Sequence, residues 1–215
     1  IQKQIGAVSG EDDRVVVRLA FALGDACTPA AGDLVTHAGK AEFQVAQKQN
    51  WKAMDCLFQL NVFSPIQLGM ELKALFPNSS LQYVITCSAM AFWAVPGYSL
   101  YGSSKSALLH WAETVWSEKS GDWLSLVFPI ATSTGFFNAA GHQIPTAFPV
   151  QKPDAVAEKI LMGTRRRKRK IFPSRLFQAM LFLDRFLFFI KPFYQYLENR
   201  KLKKWLSKQT ENGSV

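Results

Sequence analysis

The 215-residue chain is 48% hydrophobic and carries a formal net charge of +9. That length and composition fit one globular domain with a sizeable core and exclude a chain disordered throughout. The basic balance favours anionic partners. Three scattered cysteines, Cys27, Cys56 and Cys87, with no CxxC pair, argue against a disulfide framework or a zinc site; they read as buried small side chains in a reducing compartment.

In chain order, Ile5 to Val8 could end a strand. Ser9 followed by Glu11, Asp12 and Asp13 suits a helix start, and Val15, Leu19, Ala22 and Leu23 recur at helical spacing. Leu34-Val35 feeds a turn at Ala38-Gly39. Trp51 to Phe76 has a long helical pattern that Pro65 should kink or end. Leu81 to Cys87 is rich in β-formers, Tyr101 to Lys119 reads as a helix, and Trp123 to Phe128 is a buried strand stopped by Pro129. Asp154 to Met162 follows Pro153 as a helix, and Ile171-Phe172 reads as a last short strand. Apolar strands alternating with helices predict an α/β fold with a parallel sheet covered on both faces.

The chemistry centres on Tyr101-Gly102-Ser103-Ser104-Lys105. At i and i+4 the phenol and the ammonium share a helix face. The cation favours phenolate and is expected to lower the tyrosine pKa, readying it for proton transfer. Alone, such a spacing more often marks a solvated lysine beside a half-buried tyrosine. Ser88 and Gly39, however, both fall at carboxyl ends of expected strands, where open α/β sheets bind ligands, and Asn61 lies upstream. His37, His110 and His142 have no partner pattern and read as structural or exposed.

The spacing Ser88-x12-Tyr101-x3-Lys105, with Asn61 before it, resembles the active-site signature of the short-chain dehydrogenase/reductase family. Thr36-His37-Ala38-Gly39 resembles that family's Asn-Asn-Ala-Gly strand motif. Pro129-Ile130-Ala131-Thr132-Ser133-Thr134 resembles its Pro-Gly-x-x-x-Thr segment, and Val8-Ser9 with the acidic residues after it resembles its third strand and next helix. The resemblance spans roughly residues 5 to 172. It implies a Rossmann-like doubly wound parallel sheet and interconversion of a carbonyl and an alcohol with NAD or NADP. Tyr101 would be the general acid/base, Ser88 would stabilise the carbonyl oxygen, and Lys105 would tune Tyr101 and bind the nicotinamide ribose. Asn61 would hold a water in the proton relay. Ala38, Gly39, Pro129 and Thr134 would line the cofactor cleft, and no metal is implied.

The family's Gly-x-x-x-Gly-x-Gly loop is not found before Thr36. Thr36 and His37 replace asparagines, Ile130 replaces a glycine, and Ala7 stands where an aspartate is common. An N-terminally truncated domain over 1–172 is therefore expected, with a catalytically impaired fragment or a membrane-associated binding protein as the alternative. Residues 173–215 read as a helical, aromatic and basic extension. Leu176 to Ile190 is apolar nearly all round, Lys191-Pro192 is expected to break it, and Phe193 to Trp205 continues it. That extension suits either a membrane surface contacted through 175–205 or a helical cover packed over the substrate cleft or a partner subunit. The Arg165 to Lys170 run lacks a nucleic-acid fold motif and reads as solvated charge. A small apolar carbonyl or alcohol is the expected substrate. The expected location is intracellular, cytoplasmic or peripheral on a membrane, and the resemblance carries a homo-oligomer.

Overall fold

The computed structural model describes residues 6–9, 15–18, 33–36, 39–49, 51–77, 81–134, 144–145 and 148–211. Its centre is a parallel sheet of four strands in the order β3 (Asp33–Thr36), β4 (Gln82–Thr86), β5 (Leu124–Val127) and β6 (Lys170–Ile171). Asp33 pairs with Gln82, Tyr83 with Leu124 and Val127 with Ile171. The expected strands at Leu34-Val35, Leu81 to Cys87, Trp123 to Phe128 and Ile171 are all in this sheet.

Both faces of the sheet are covered, as the unbroken apolar runs predict. Tyr83, Ile85, Leu124 and Leu126 face α2 (Ser64–Leu75) and α3 (Ser99–Ser117), meeting Leu72, Leu108, Ala112 and Trp116. Val84, Val127 and Ile171 point the other way, onto Val156 and Ile160 of α4 (Pro153–Arg165). The period-two alternation of side chains along each strand produces this division.

The segment from Trp51 to Leu75 is helical throughout but not uniform. α1 (Trp51–Phe58) passes into one π turn (Gln59–Phe63), and α2 begins with Pro65 in its first turn. Pro65 lacks an N–H, so it fits where no intrahelical donor is needed. Both the backbone N–H and the hydroxyl of Ser64 donate to Gln59 O, closing the turn.

Two expectations are corrected. Val15–Arg18 is a strand (β2), not part of a helix, and it pairs antiparallel with β1 (Gly6–Ser9), outside the parallel sheet. Three consecutive valines are stiff at χ1 and favour extended backbone over helix. The match of Val8-Ser9 to the family's third strand and next helix therefore fails. At the other end, the break falls at 184–189, not at Lys191-Pro192. α5 (Arg175–Leu183) stops early, and Pro192 lies in the first turn of α6 (Ile190–Glu211). The Asp184 carboxylate accepts from the Lys191 backbone N–H at 3.0 Å and caps the new helix.

The basic run closes α4 and enters the edge strand. Arg169 pairs with Asp122 at 2.9 Å, Lys170 pairs with Glu113, and Arg165 to Lys168 are exposed. Cys87 is buried as expected, but Cys56 is exposed on α1. Cys27, His37, Ala38 and His142 lie outside the described residues, and His110 is exposed.

Candidate active site

Helix α3 buries Tyr101, Ser104, Lys105, Leu108, Ala112 and Trp116 along one stripe. Their spacing is that of a core-facing helical face. Tyr101 and Lys105 therefore stand where a solvated lysine would not. Lys105 is only 2% exposed, and a buried ammonium needs partners. It donates to Thr86 O, at the end of β4, at 3.0 Å, and lies 5.7 Å from the centroid of the Tyr101 ring. Burial lowers its pKa, and the neighbouring Cys87 thiol opposes that shift.

Ser88 follows β4 and caps the short 3-10 turn Ala89–Ala91, its hydroxyl oxygen accepting from Met90 N at 3.1 Å. Its hydrogen bond with the Tyr101 phenol acts to lower the tyrosine pKa. Burial is nonetheless the largest influence and raises the Tyr101 pKa. The expected lowering by Lys105 is not found in this state. The ammonium sits over the ring and is itself disfavoured by burial.

Asn61 lies in the π turn and is fully buried. The extra residue of a π turn shifts the side-chain register, and such turns cluster at functional sites. Asn61 Oδ1 accepts from Lys40 N at 2.9 Å, while Nδ2 donates to Lys40 O at 2.9 Å and to Ser104 Oγ at 3.0 Å. It thereby clamps the loop after β3 to α3. Ser104 in turn donates to Tyr101 O at 2.7 Å. A Cβ on Gly39 would come within 3.6 Å of Lys105 Nζ and 3.8 Å of Asn61 Oδ1. Gly39 thus lies directly against the ammonium and the Asn61 amide.

Gly39, Asn61, Ser88, Tyr101 and Lys105 therefore converge. Pro129 joins through its carbonyl, which accepts from Ala89 N at 2.9 Å. Thr134 stands outside this buried group, exposed in a turn where its N–H meets Thr132 O. Sequence reasoning missed Ser104, Thr86 O and the Lys40 backbone. Ser104 was detectable as a polar residue on the same helical stripe, whereas backbone partners leave no mark in a sequence. Cys87 also contributes: its thiol donates to Lys105 O at 3.2 Å, and burial pushes its pKa up to about 11.

Beside this buried group, Ala41, Phe43, Tyr98 and Tyr101 form an apolar cluster, with Leu202 and Trp205 of α6 packed on it. A small cleft of about 30 Å³ there is lined by Phe43, Met90, Tyr98 and Tyr194 together with Glu198 and Lys201.

Residues 31–143 match the family model described as short chain dehydrogenase. The human epidermal retinol dehydrogenase 2 is 28% identical over 121 residues, which are 54% of this chain and 39% of that protein. A short-chain dehydrogenase from Sphingobium yanoikuyae in complex with NADPH is similar in structure, with TM-score 0.61 and 24% identity, covering 74% of this chain and 65% of that one. One from Burkholderia phymatum in complex with NAD has TM-score 0.59 and 18% identity, covering 72% and 65%. The chain thus spans less than two thirds of the length of each of these proteins. With the match covering more than half of its residues, the chain belongs to the short chain dehydrogenase family.

Proposed function

We propose that this chain is the catalytic portion of an NAD(P)-dependent oxidoreductase that interconverts a carbonyl and an alcohol on an apolar substrate. The observation that carries the reading is the buried Ser88–Tyr101–Lys105 group on the carboxyl end of a parallel sheet. The structural neighbours in complex with NADPH or NAD support the cofactor class.

The residues present fit the nicotinamide–ribose half of such a cofactor. Lys105 offers a cation beside Gly39, and its ammonium hydrogens suit a diol. Thr134 and Pro129 border the same end of the sheet, and Ala38 adjoins Gly39 in sequence. When bound, the nicotinamide supplies or accepts the hydride. The protein's own work is proton handling. Ser88 accepts from Met90 N, which leaves its O–H to donate to a carbonyl oxygen placed beside it. Tyr101, held protonated by burial, is poised as the acid that delivers a proton to that oxygen. Asn61 acts as a positioning residue: its amide donors are taken by Lys40 O and Ser104 Oγ, so it holds the floor of the site. The apolar wall of Ala41, Phe43 and Tyr98 packed beside Tyr101 favours an apolar substrate. The exposed Trp51, Phe63, Met70 and Leu75 of the α1–α2 segment offer a face for a homo-oligomer, testable by sedimentation.

The test is calorimetric titration with NADPH and NADH, followed by turnover of a panel of apolar ketones and alcohols. Tyr101→Phe should retain cofactor binding and lose turnover by about 10²–10⁴-fold. Equal turnover by this variant would overturn the assignment. Cofactor binding without turnover of any apolar substrate would favour a binding role.

A further inference from the structure

The C-terminal helices have two faces that do different things. The inner face is seated on the body. Phe177 packs on Trp93 with ring centroids 5.5 Å apart, Tyr194 packs on Trp93 at 5.3 Å, and Trp205 meets Phe43 at 5.0 Å. Gln195 donates to Ala94 O. The cover reading of the tail thus describes this inner face.

The outer face is the elbow between α5 and α6. Here Phe182, Phe186, Phe188, Phe189 and Phe193 are 58–85% exposed. Taking about 200 Å² for a free phenylalanine, these five rings present roughly 670 Å² to solvent. That is at or above the largest apolar patch of an ordinary monomer. Tyr196 and Leu197 are exposed on the next turn. The patch sits on well-anchored helices, so its exposure is built into the fold.

We propose that this aromatic elbow docks peripherally on an anionic phospholipid bilayer. The charge pattern selects that occupant. Arg175 on α5, Arg185 in the turn between the helices, and Arg200, Lys203 and Lys204 on α6 are exposed. The acids nearby are engaged: Asp184 is half-buried and accepts the Lys191 N–H, and the Glu198 side chain is 12% exposed and pairs with Lys201 at 2.7 Å. The outer face is thus apolar with a cationic rim, the arrangement that suits headgroups around inserted rings. A second copy would bring an identical cationic rim against it, on a chain of net charge +9, and like charges oppose that contact. Among the described residues no helix is long and apolar enough to cross a membrane, so the contact is interfacial. This inference does not depend on the redox reading, because its readout is binding to vesicles.

The test is flotation of the full chain with vesicles of phosphatidylcholine alone and with phosphatidylserine added. The wild type should float with the anionic vesicles and far less with the neutral ones, and added salt should weaken it. The triple variant Phe186→Ser, Phe188→Ser, Phe189→Ser should lose partitioning by about tenfold or more. These side chains are mostly solvent-exposed, so circular dichroism should show an unchanged fold. Arg175→Glu with Arg185→Glu, which leaves the rings in place, should remove the preference for anionic vesicles, by about fivefold or more for each charge lost. Unchanged flotation of the serine variant overturns the elbow as the contact, and equal flotation on both vesicle types overturns the anionic requirement. Absence of flotation, with a wild-type dimer that the serine variant abolishes in sedimentation, assigns the patch to a second copy instead.

Discussion

Asn61→Ala tests the clamp at the centre of the site. The substitution removes three hydrogen bonds at once, to Lys40 N, Lys40 O and Ser104 Oγ. A typical intramolecular hydrogen bond contributes about 1 kcal/mol net, and a buried group left unpaired costs about 1–3 kcal/mol. Lys40 is exposed and water can serve its backbone, whereas Ser104 is fully buried but still donates to Tyr101 O. The expected loss is therefore about 2–3 kcal/mol, below the sum for three fully buried bonds. Urea unfolding followed by circular dichroism reads it as a lower midpoint with an unchanged slope. Pairing the change with Ser104→Ala isolates their shared bond, and a coupling of about 0.5–1.5 kcal/mol is expected. A loss under about 0.5 kcal/mol, or no coupling, would refute the view that Asn61 ties the loop after β3 to α3.

Gly69→Ala should destabilise by about 1–3 kcal/mol. Its Cβ would meet the Tyr83 ring at 2.6 Å, and that ring is held in place by the Tyr83 hydroxyl donating to Pro65 O at 2.8 Å; an unchanged melting temperature would show that the ring can yield. Peptide mapping after brief alkylation at pH 8 should find Cys56 modified and Cys87 protected, because Cys56 is exposed while burial raises the Cys87 pKa to about 11. A folded pKa above the unfolded value means the native state holds its proton more tightly. Cys87 therefore contributes stability below pH 9.0 that is lost as pH rises toward about 11. Cys87→Ala should flatten that decline in a pH series of melting temperatures, and an identical slope would count against it.

Much of the site was legible in local chemistry. The strands β4 and β5 announce themselves as apolar, β-favouring runs, since both faces of a parallel sheet are buried. The helical period alone places Tyr101 and Lys105 on one face. Ser88 and Gly39 follow expected strands, so their positions at ligand-binding ends could also be read. The Val15–Arg18 segment went the other way because weak helical spacing competed with three β-branched residues. Pro192 was read as a breaker, yet its missing N–H is equally at home in a first helical turn.

By itself, then, the sequence determined which side chains are available and at what spacing: the Ser–Tyr–Lys set, the parallel sheet and the basic aromatic tail. Only the tertiary structure decided their energetics. The π turn that aims Asn61 at Lys40 and Ser104 depends on contacts between segments far apart in the chain. The same holds for the direction of the Tyr101 shift, where burial outweighs the Ser88 hydrogen bond, because desolvation depends on everything packed around a group and not on its neighbours in sequence. The tail's division into a seated inner face and an exposed elbow was likewise settled by packing: an all-apolar helix has no preferred side until a partner surface selects one.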